Sequence, residues 1–467
     1  MKLYNTLSRS LEEFKPLEDK LVKFYQCGPT VYWIQHIGNL RAMVWSDLIR
    51  RSLFSLGYKI KFVRNYTDVG HLTSDEDEGE DKMDKGAKRE GLTPTQIADK
   101  YIQLFESDIK KLNIIPPHSA PRASQYIPQI IEMVQTLLDQ KHAYKTEHAI
   151  YFDVSTFNDY NKLNKQKLEL NLAGKGKGKV DDSQKKHFSD FALWFFKKGA
   201  HANALQTWPS PWGEGFPGWH IECSVMAKSL LGTTIDIHMG GVEHIAVHHT
   251  NEIAQSESAN GVKFVNYWLH NEHLVVNDSK MAKSEGTSFT LNDVVAKGFN
   301  PLDLRYFYLN AHYRSKQNFT WEALTAAKEG YRNLKDFVLT LRSQNQRSVL
   351  SADKLAQLDQ YRQTFADFIA NDFQIPQALA TTWDMLKSNI PSQDKLDLLF
   401  EFDEVFGLKL NEVSADQIPT EVTDLAKKRE DARRKGDFKQ SDELRKEIRK
   451  KGYEVEDKAK AFIIKKI

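Results

Sequence analysis

The sequence predicts an α/β protein in which a doubly wound parallel sheet is interrupted by an insertion and followed by an all-α helical bundle and a small basic C-terminal module. Two observations predict the sheet: strand and helix patterns alternate near the N-terminus, and they alternate again from about Gly218. A third predicts the bundle, since apolar residues recur at three-and-four spacing from about Pro301 onward. The length of 467 residues suggests about three domains.

The first half of the sheet is predicted within residues 1–118. The segments VKFYQCG and YKIKFVRNYTDV are typical of strands, and LRAMVWSDLIRRSLFSLG between them is typical of a helix. Such a strand–helix–strand unit pairs its strands in parallel. The acidic, turn-rich TSDEDEGEDKMDKG then predicts a mobile surface loop, and helices are predicted from Thr93 to about Leu112 and from Ser124 to about Lys141.

A connective insertion is predicted over residues 119–214. In its polar middle part, Lys175, Lys177 and Lys179 alternate with glycines in a GKGKGKV run. This run is compatible with a phosphate-contacting loop or with a flexible hairpin tip, and it lacks the GxxxxGK[ST] spacing of a P-loop.

The second half of the sheet is predicted within residues 215–300. GWHIECSVMAKSLLG predicts a helix, TTIDIHMGG a strand that ends in a glycine turn, HHTNEIAQSESANG a second helix and FVNYWLHNEHLVVN another strand. The helical bundle is predicted over residues 301–412, and the basic module over residues 413–467.

Charge is distributed unevenly along the chain. The net charge is only +2, but the tail from Asp424 onward holds 16 Lys or Arg against 10 Asp or Glu and is locally +6. A basic terminal module can contact phosphates. The alternative is that KKREDARRKGDFKQSDELRKEIRKK forms two solvated amphipathic helices without such a role.

The sequence favours a cytoplasmic protein with no membrane contact. Its first residues, MKLYNTLSRSLEEFK, lack the apolar core of a signal peptide. No stretch approaches the roughly 20 apolar residues that span a bilayer. Two cysteines do not make a disulfide framework, and a reducing compartment leaves them as metal ligands or buried thiols.

The two cysteines provide the clearest indication of function. Cys27 lies in YQCGPTVYWIQHIGN and Cys223 in GWHIECS, while His248 and Glu252 follow in HHTNE at i,i+4 spacing, so that one helix would point both side chains the same way. Two thiolates, an imidazole and a carboxylate make a plausible zinc site. The alternatives are a closed zinc site that only stabilises the fold, and a site in which His249 replaces His248.

Two short motifs are candidates for binding phosphates. HIGN extends from His36 to Asn39 at a predicted strand-to-helix turn, where Gly38 lets the backbone approach a phosphate and the helix start favours negative charge. KMAKSEG offers Lys280 and Lys283 to a polyphosphate on a loop after a predicted strand. Taken singly, each motif could be structural, but both occur, one in each half of the predicted sheet.

On these residues the chain resembles the class I aminoacyl-tRNA synthetases, and within them the cysteinyl-tRNA synthetase family. Besides the HIGH-like and KMSKS-like motifs, the resemblance extends over nearly the whole length through CGPTVY, FVRNYTDV, FALW, GFPGWHIECS, HHTNEIAQSE, LRYFYLNAHYRS and NDFQIPQALA. It implies a Rossmann-like catalytic domain, a stem-contact segment at the start of the helical region and an anticodon-binding C-terminal module. It also implies tRNA(Cys), ATP and L-cysteine as partners, and a monomer.

The resemblance implies that Cys27, Cys223, His248 and Glu252 hold one Zn²⁺ ion at the floor of the amino-acid pocket, where the substrate thiolate would bind the metal. Zinc binds sulfur far better than a hydroxyl, so serine would be refused by coordination chemistry. Shape alone separates near-isosteres by only about 1 to 3 kcal/mol. The candidate substrate-binding residues are Gly28, Thr67, Trp219 and His238, and His220 and His244 are further candidates for the pocket wall or the surroundings of the metal.

The resemblance also implies the reaction. The cysteine carboxylate would attack the α-phosphate of ATP, and a ribose hydroxyl of the terminal adenosine of tRNA would then take the cysteinyl group. His36, Gly38 and Asn39 would bind the phosphates, and Lys280 and Lys283 would act at the departing pyrophosphate, with Mg²⁺ accompanying the ATP.

The sequence departs from the family pattern in three places. Asn39 replaces the second histidine of HIGH, and Ala282 replaces the first serine of KMSKS, but neither change removes the essential cation. TDVGHLTSDEDEGEDK stands where many relatives have TDVDDK. A substrate role for Asp68 to His71 is therefore open, the alternative being a lengthened surface loop.

Three other functions are compatible with parts of the pattern. A ligase that passes activated cysteine to an amino sugar shares the core but lacks an extended helical tail, so tRNA is the favoured acceptor. A catalytically silent RNA-binding paralogue should have lost His36, Lys283 or a metal ligand, and none is lost. A small-molecule nucleotidyltransferase of the HIGH-bearing group is usually short and lacks the helical bundle.

Overall fold

The computed structural model describes residues 1–72, 79–165, 184–281, 287–344, 347, 349–414, 420–458 and 461–466. Its strands are β1 Lys2–Asn5, β2 Ser10–Glu13, β3 Leu21–Gln26, β4 Lys59–Arg64, β5 Ala143–Lys145, β6 Ala149–Phe152, β7 Phe191–Phe196, β8 Gly215–Pro217, β9 Ile235–Gly241, β10 Val265–Asn271, β11 Leu274–Val276, β12 Ser279–Lys280, β13 Gln317–Phe319, β14 Tyr453–Lys458 and β15 Ala461–Lys466. Its α-helices are α1 Ile37–Ser55, α2 Lys82–Glu90, α3 Pro94–Lys111, α4 Ile127–Asp139, α5 Trp219–Leu231, α6 His248–Asn260, α7 Leu291–Ala296, α8 Pro301–Leu309, α9 Trp321–Ser343, α10 Ala352–Ala370, α11 Ile375–Lys387, α12 Ser392–Phe406, α13 Thr420–Arg434 and α14 Phe438–Lys450.

Four parallel strands form the central sheet in the order β10–β9–β3–β4. β3 and β4 come from the first half of the sheet domain and β9 and β10 from the second, so the halves meet between β3 and β9. Tyr25 lies opposite His238 in that register, and Phe24 lies opposite Ile237. Every residue of β9 is buried, as expected for a parallel strand covered on both faces. The predicted doubly wound α/β sheet is confirmed.

A buried ion pair joins this sheet to the helical region. α1 is the crossover helix between β3 and β4, and its Asp47 accepts a hydrogen bond of 2.6 Å from Arg305 of α8. Both side chains are fully buried. Arg305 also donates to the carbonyl oxygens of Phe406 and Leu112, at 2.7 and 2.8 Å. The helical region is thereby tied to the helix that begins at HIGN.

The insertion supplies β5, β6 and β7 to a four-stranded antiparallel sheet in the order β5–β6–β7–β8, which α4 covers. The edge strand β8 comes from the three residues that follow the predicted insertion boundary at residue 214. Phe152 and Trp194 of this sheet belong to one buried cluster with Ile221 and Val225 of α5. The insertion therefore supports the helix that carries Cys223. The Lys175–Lys179 run lies outside the described residues.

The C-terminal module contains α13, α14 and the antiparallel hairpin β14–β15, and it has a small core of its own around Val422, Ala426, Ile448 and Val455. The amphipathic pattern predicts the two helices but not the hairpin, which was missed because β14 forms its ladder only with β15. None of the described helices has both the length and the apolar content required to cross a bilayer.

The structure corrects two expectations about secondary structure. The segment predicted as one surface loop through MDKG becomes helical at Lys82, because Asp81 caps that helix by accepting hydrogen bonds from the backbone nitrogens of Met83 and Asp84 at 2.6 and 3.3 Å. FVNYWLHNEHLVVN is not one strand. β10 ends at Asn271, and β11 pairs with β12 and β13 in a separate small sheet.

Candidate metal centre and the cavity above it

The central sheet opens a crevice at the carboxyl ends of β3 and β9. β3 connects to β4 on one side and β9 to β10 on the other, so right-handed crossovers place α1 and α6 on opposite faces of the sheet. Such a switch point is where open α/β sheets bind ligands. Cys27 and Gly28 directly follow β3, Gly240 and Gly241 end β9, and all four line one cavity.

The four residues predicted to hold a metal come together at the end of this cavity. The Sγ atoms of Cys27 and Cys223 lie 3.9 Å apart, and Cys27 Sγ lies 3.8 Å from Glu252 Oε1. Glu252 Oε1 lies 2.9 Å from His248 Nε2. One donor atom from each residue lies within 4.8 Å of the others, and all four residues are buried.

Two helices position three of these donors. His248 and Glu252 are one turn apart on α6, and Cys223 lies on α5 one turn after Trp219. The indole of Trp219 stacks on the His248 imidazole, with ring centroids 4.1 Å apart and an interplanar angle of 21°. The fourth donor, Cys27, is placed by the end of β3, where its backbone nitrogen donates to Met239 of β9 at 3.1 Å.

A second donor set overlaps the first. Cys27 and Glu252 also form a buried group with His238 and His249 whose donor atoms satisfy the same distance limit. His249 Nε2 lies 3.4 Å from Cys27 Sγ, and His238 Nε2 lies 2.8 Å from Glu252 Oε2. The geometry thus leaves both His248 and His249 within reach of a metal at Cys27.

Further histidines surround the centre. His220 Nδ1 lies 2.9 Å from His248 Nδ1, and His249 Nδ1 lies 2.8 Å from His270 Nε2. Burial lowers the pKa of His244 to about 4 and, with the neighbouring histidines, holds the pKa of His249 and His270 well below the usual range. These three rings are therefore neutral near pH 7, the form that can accept hydrogen bonds or bind a metal.

The pKa values of the four predicted metal ligands are shifted in different directions. Hydrogen bonding from Cys27 lowers the pKa of the Cys223 thiol to about 6 in spite of burial, whereas burial raises the pKa of Cys27 well above its ordinary value. Burial opposes a charged His248, but Glu252 and Cys223 outweigh it and raise the pKa of His248 to about 10. Burial likewise opposes a charged Glu252, but His238 and His248 hold the pKa of its carboxyl well below its usual range.

This donor set fits a divalent metal with an affinity for sulfur. Two thiols, an imidazole and a carboxylate provide the number and types of donors that tetrahedral zinc sites use. Binding would replace the imidazolium and thiol protons, and a buried, partly ionised cluster favours that exchange. The residues present therefore fit the metal that the sequence predicts.

The cavity has a volume of about 420 Å³ and extends from Cys27 and Cys223 to the HIGN turn and Met281. Gly28 is required at its edge, since a Cβ atom there would lie 1.6 Å from the carbonyl oxygen of Asn65. The Gly28 nitrogen donates to Asn65 Oδ1 at 2.8 Å, and Asn65 Nδ2 donates to the hydroxyl of Thr67 at 3.2 Å.

The predicted pocket residues take up different positions. Gly28, Thr67 and Trp219 line the cavity. His238 is fully buried behind Glu252 and does not belong to the cavity lining, so its position is that of a support for the carboxylate. His220 supports His248 in the same way.

The HIGN turn also lines the cavity, through His36, Gly38 and Asn39. His36 caps α1, and its Nδ1 accepts a hydrogen bond of 3.2 Å from the backbone nitrogen of Asn39. A Cβ atom on Gly38 would lie 2.3 Å from Met281 Cε, so the turn and the start of the KMAKS segment are in close approach. Lys280 contributes its backbone to β12, and Lys283 lies outside the described residues.

Two further cavity residues lie in segments that the sequence singles out without assigning them a contact, Thr30 in CGPTVY and His71 in TDVGH. Thr30 and His71 line the cavity and contact each other, although 41 residues separate them. His71 stacks on the face of Trp219 with ring centroids 3.9 Å apart and an interplanar angle of 7°. Asp68, in contrast, accepts hydrogen bonds of 2.9 and 2.6 Å from the backbone and hydroxyl of Ser124 and fixes the chain there.

Models of two known protein families together match most of the chain. The model for tRNA synthetases class I (C), catalytic domain, matches residues 13–329, and the model for the cysteinyl-tRNA ligase anticodon binding domain matches residues 415–462. The chain is 41% identical to a cysteine–tRNA ligase of Treponema denticola, with 100% of both chains covered. It is 42% identical to cysteine–tRNA ligase 1 of Burkholderia lata, with 97% of this chain and 94% of that protein covered.

Solved structures resemble the fold at much lower identity. Methionyl-tRNA synthetase of Mycobacterium tuberculosis in complex with methionyl-adenylate superposes with a TM-score of 0.58 at 14% identity, covering 83% of this chain and 90% of that one. A putative arginyl-tRNA synthetase of Campylobacter jejuni gives a TM-score of 0.52 at 13% identity, covering 86% and 95%. At these identities the likeness concerns the fold alone.

Proposed function

The chain belongs to the cysteine–tRNA ligase family of class I aminoacyl-tRNA synthetases, and from this premise we propose that it activates L-cysteine with ATP and transfers it to the 3′-terminal adenosine of tRNA(Cys). One observation carries the proposal. The two cysteines of the chain, 196 residues apart, meet beside His248 and Glu252 in a cavity that the HIGN turn also lines.

The proposed metal ligands are Cys27, Cys223, His248 and Glu252, and the proposed ion is Zn²⁺. When bound, zinc supplies a coordination position that favours a thiolate over a hydroxyl, which distinguishes cysteine from serine. Both sulfur donors lie at the lining of the cavity, and this supports a role in substrate selection over a purely structural one. His249 remains the alternative ligand, because its Nε2 lies 3.4 Å from Cys27 Sγ.

The chain's own residues would position the nucleotide. Since Nδ1 of His36 accepts a hydrogen bond from Asn39, the neutral imidazole carries its hydrogen on Nε2 and can donate it to a phosphate. The close packing at Gly38 supports an approach of the α1 N-terminus to the same phosphates. Lys280 and Lys283 would neutralise the departing pyrophosphate together with Mg²⁺.

The acceptor would contact the C-terminal half of the chain. We assign residues 1–118 and 215–300 to the catalytic domain, 119–214 to the connective insertion, 301–412 to the stem-contact segment and bundle, and 413–467 to the anticodon module. The basic character of the last segment and its match to an anticodon binding domain support this assignment. We also propose a cytoplasmic monomer, whose mass light scattering would measure.

Transfer to an amino sugar is the alternative within the same chemistry, and it is not favoured, because the relatives from Treponema denticola and Burkholderia lata, which match over nearly the full length, are cysteine–tRNA ligases. The deciding experiment is a charging assay on tRNA(Cys) with cysteine and with serine, together with cysteine-dependent exchange of pyrophosphate into ATP. We expect both activities with cysteine only, and loss of both after chelation with restoration by zinc. Exchange without charging would refute tRNA as acceptor, and charging with serine at a comparable rate would refute the selection by metal.

A further inference from the structure

Lys82, His71 and Thr30 form a chain of hydrogen bonds that ends in the cavity. Lys82 Nζ lies within hydrogen-bonding distance of His71 Nε2, and His71 Nδ1 lies 2.6 Å from Thr30 Oγ1. His71 and Thr30 line the cavity, whereas Lys82 lies at the start of α2, behind His71. Both ring nitrogens of His71 are thereby engaged.

The direction of these hydrogen bonds follows from the donor at one end. A lysine ammonium carries only donors, so Lys82 donates and His71 Nε2 accepts. A neutral imidazole with an accepting Nε2 carries its hydrogen on Nδ1, which therefore donates to the Thr30 oxygen. The hydroxyl hydrogen of Thr30 is then left to point elsewhere. Among the described residues, Thr30 Oγ1 makes no other hydrogen bond, and Thr30 lies at the cavity wall.

The same histidine is tied to the metal centre through a stack of rings. His71 lies 3.9 Å from Trp219, and Trp219 lies 4.1 Å from His248, measured between ring centroids. An aminothiol whose sulfur is held at Cys27 and Cys223 would therefore extend along the wall that Trp219, His71 and Thr30 form. The negatively charged group of cysteine that would lie along that wall, beyond the sulfur, is the carboxylate. A carboxylate only accepts hydrogen bonds.

We propose that Lys82 and His71 are positioning residues that orient the Thr30 hydroxyl to donate a hydrogen bond to the α-carboxylate of bound cysteine. The positive charge of Lys82 at the far end polarises each bond toward the cavity, which strengthens donation to an anion. This inference rests on the proposed function. It gives a specific role to the TDVGHL segment, which differs from the family pattern: His71 orients the substrate, while Asp68 only holds the backbone at Ser124.

The test compares two ligands that differ by the carboxylate alone. Cysteine and cysteamine share the thiol and the amine, and only cysteine carries the carboxylate. Their dissociation constants would be measured by calorimetry on the full-length, metal-loaded protein and on the variants Thr30→Val, His71→Phe, His71→Gln and Lys82→Met. Phenylalanine keeps a ring against Trp219 without the hydrogen bonds, and glutamine keeps one acceptor and one donor.

We expect Thr30→Val, His71→Phe and Lys82→Met each to weaken cysteine binding about tenfold or more, since a hydrogen bond to a charged group is lost or misdirected, while cysteamine binding changes less than about twofold. His71→Gln should retain most of the affinity for cysteine. The double variant Thr30→Val/His71→Phe should bind cysteine no more weakly than Thr30→Val alone, because His71 acts through Thr30.

Equal weakening of both ligands would overturn the inference, because it would show that the relay only shapes the cavity. Additive losses in the double variant would overturn it as well. Lys82→Met keeps the test decisive if a change at His71 prevents folding, since Lys82 lies outside the cavity lining. An unaltered protein that binds no cysteine would instead refute the proposed function, and the two failures are therefore distinguishable.

Discussion

The Sγ atoms of Cys27 and Cys223 lie 3.9 Å apart, although 196 residues separate them in the chain. Cys27 is placed by the end of a strand from the first half of the sheet, and Cys223 by a helix that follows the insertion. The pairing therefore exists only when both halves of the sheet domain are assembled. Any ligand that bridges the two sulfurs should stabilise that assembly by mass action, by an amount that rises with the logarithm of its concentration over its dissociation constant.

The metal centre should be lost when one sulfur donor is removed. We expect Cys223→Ser to abolish bound zinc and cysteine activation together, because a hydroxyl is a poor zinc ligand and would leave Glu252 and His248 without the cation. The metal content of the purified protein and pyrophosphate exchange would be measured in parallel. Activation retained in a metal-free variant would contradict the proposed role of the ion.

The same experiment on histidines distinguishes the two donor sets. If His248 is the ligand, His248→Ala should lower zinc affinity far more than His249→Ala. His249 would then only support the ligands, and loss of such a residue typically lowers metal affinity by about 10- to 100-fold. The measurement is a competition titration with a chromogenic chelator. The reverse order would assign the metal to Cys27, His238, His249 and Glu252.

Lys283 should act in the chemical step. We expect Lys283→Ala to slow adenylate formation by about 10²- to 10³-fold, which is the usual loss when one charge-stabilising donor is removed, while the dissociation constant for cysteine changes little. Single-turnover adenylate formation and equilibrium cysteine binding would be compared. Equal losses in both would contradict a role at the pyrophosphate.

Two glycines at the cavity should differ in their tolerance of a methyl group. At Gly28 the added Cβ would meet a backbone carbonyl oxygen at 1.6 Å, whereas at Gly38 it would meet the flexible end of Met281 at 2.3 Å. We therefore expect Gly28→Ala to lower the thermal midpoint strongly and Gly38→Ala to lower it only slightly. Calorimetric melting of the two variants side by side provides the check, and a similar midpoint for both would contradict the packing at Asn65.

The Asp47–Arg305 pair should give the protein an acid-sensitive stability. Burial alone would raise the pKa of Asp47, but Arg305 and Arg51 outweigh it and lower the pKa below the ordinary value. A lowered folded-state pKa means that this stabilisation is present in full above the unfolded value of about 3.9 and is lost as the pH falls through the folded value.

Asp47→Asn should accordingly reduce the free energy of unfolding at pH 7 by about 3 to 5 kcal/mol, because it leaves Arg305 buried without its counter-charge. It should also flatten the dependence of stability on pH in the acid range. Urea unfolding of both proteins between pH 3 and pH 7 would show this. Parallel pH profiles would exclude the pair as the origin of the acid sensitivity.

Much of the architecture was predictable because it depends on local pattern. The strands around VKFYQ and IDIHMGG and the helices that carry HIGN, GWHIEC and HHTNE follow from apolar periodicity and glycine turns. The helical period also predicts that His248 and Glu252 share one face. Short or capped elements were missed, such as the β14–β15 hairpin and the helix begun by Asp81, because their formation depends on one side-chain contact or on a partner strand.

The amino-acid sequence by itself determined the fold class, the family and the identity of the chemically active side chains, since these are properties of residue type and spacing. Only the tertiary structure decided that Cys27 approaches Cys223, that His238 supports Glu252 from outside the cavity, and that His71 connects Lys82 to Thr30. The physical reason is that the contacts of Cys27 with Cys223, of His238 with Glu252 and of His71 with Thr30 join segments that the order and register of the parallel strands bring together, while the His71–Lys82 contact depends on the packing of the start of α2. Local periodicity carries no information about the order of the strands. That order is selected by the burial of the whole sheet.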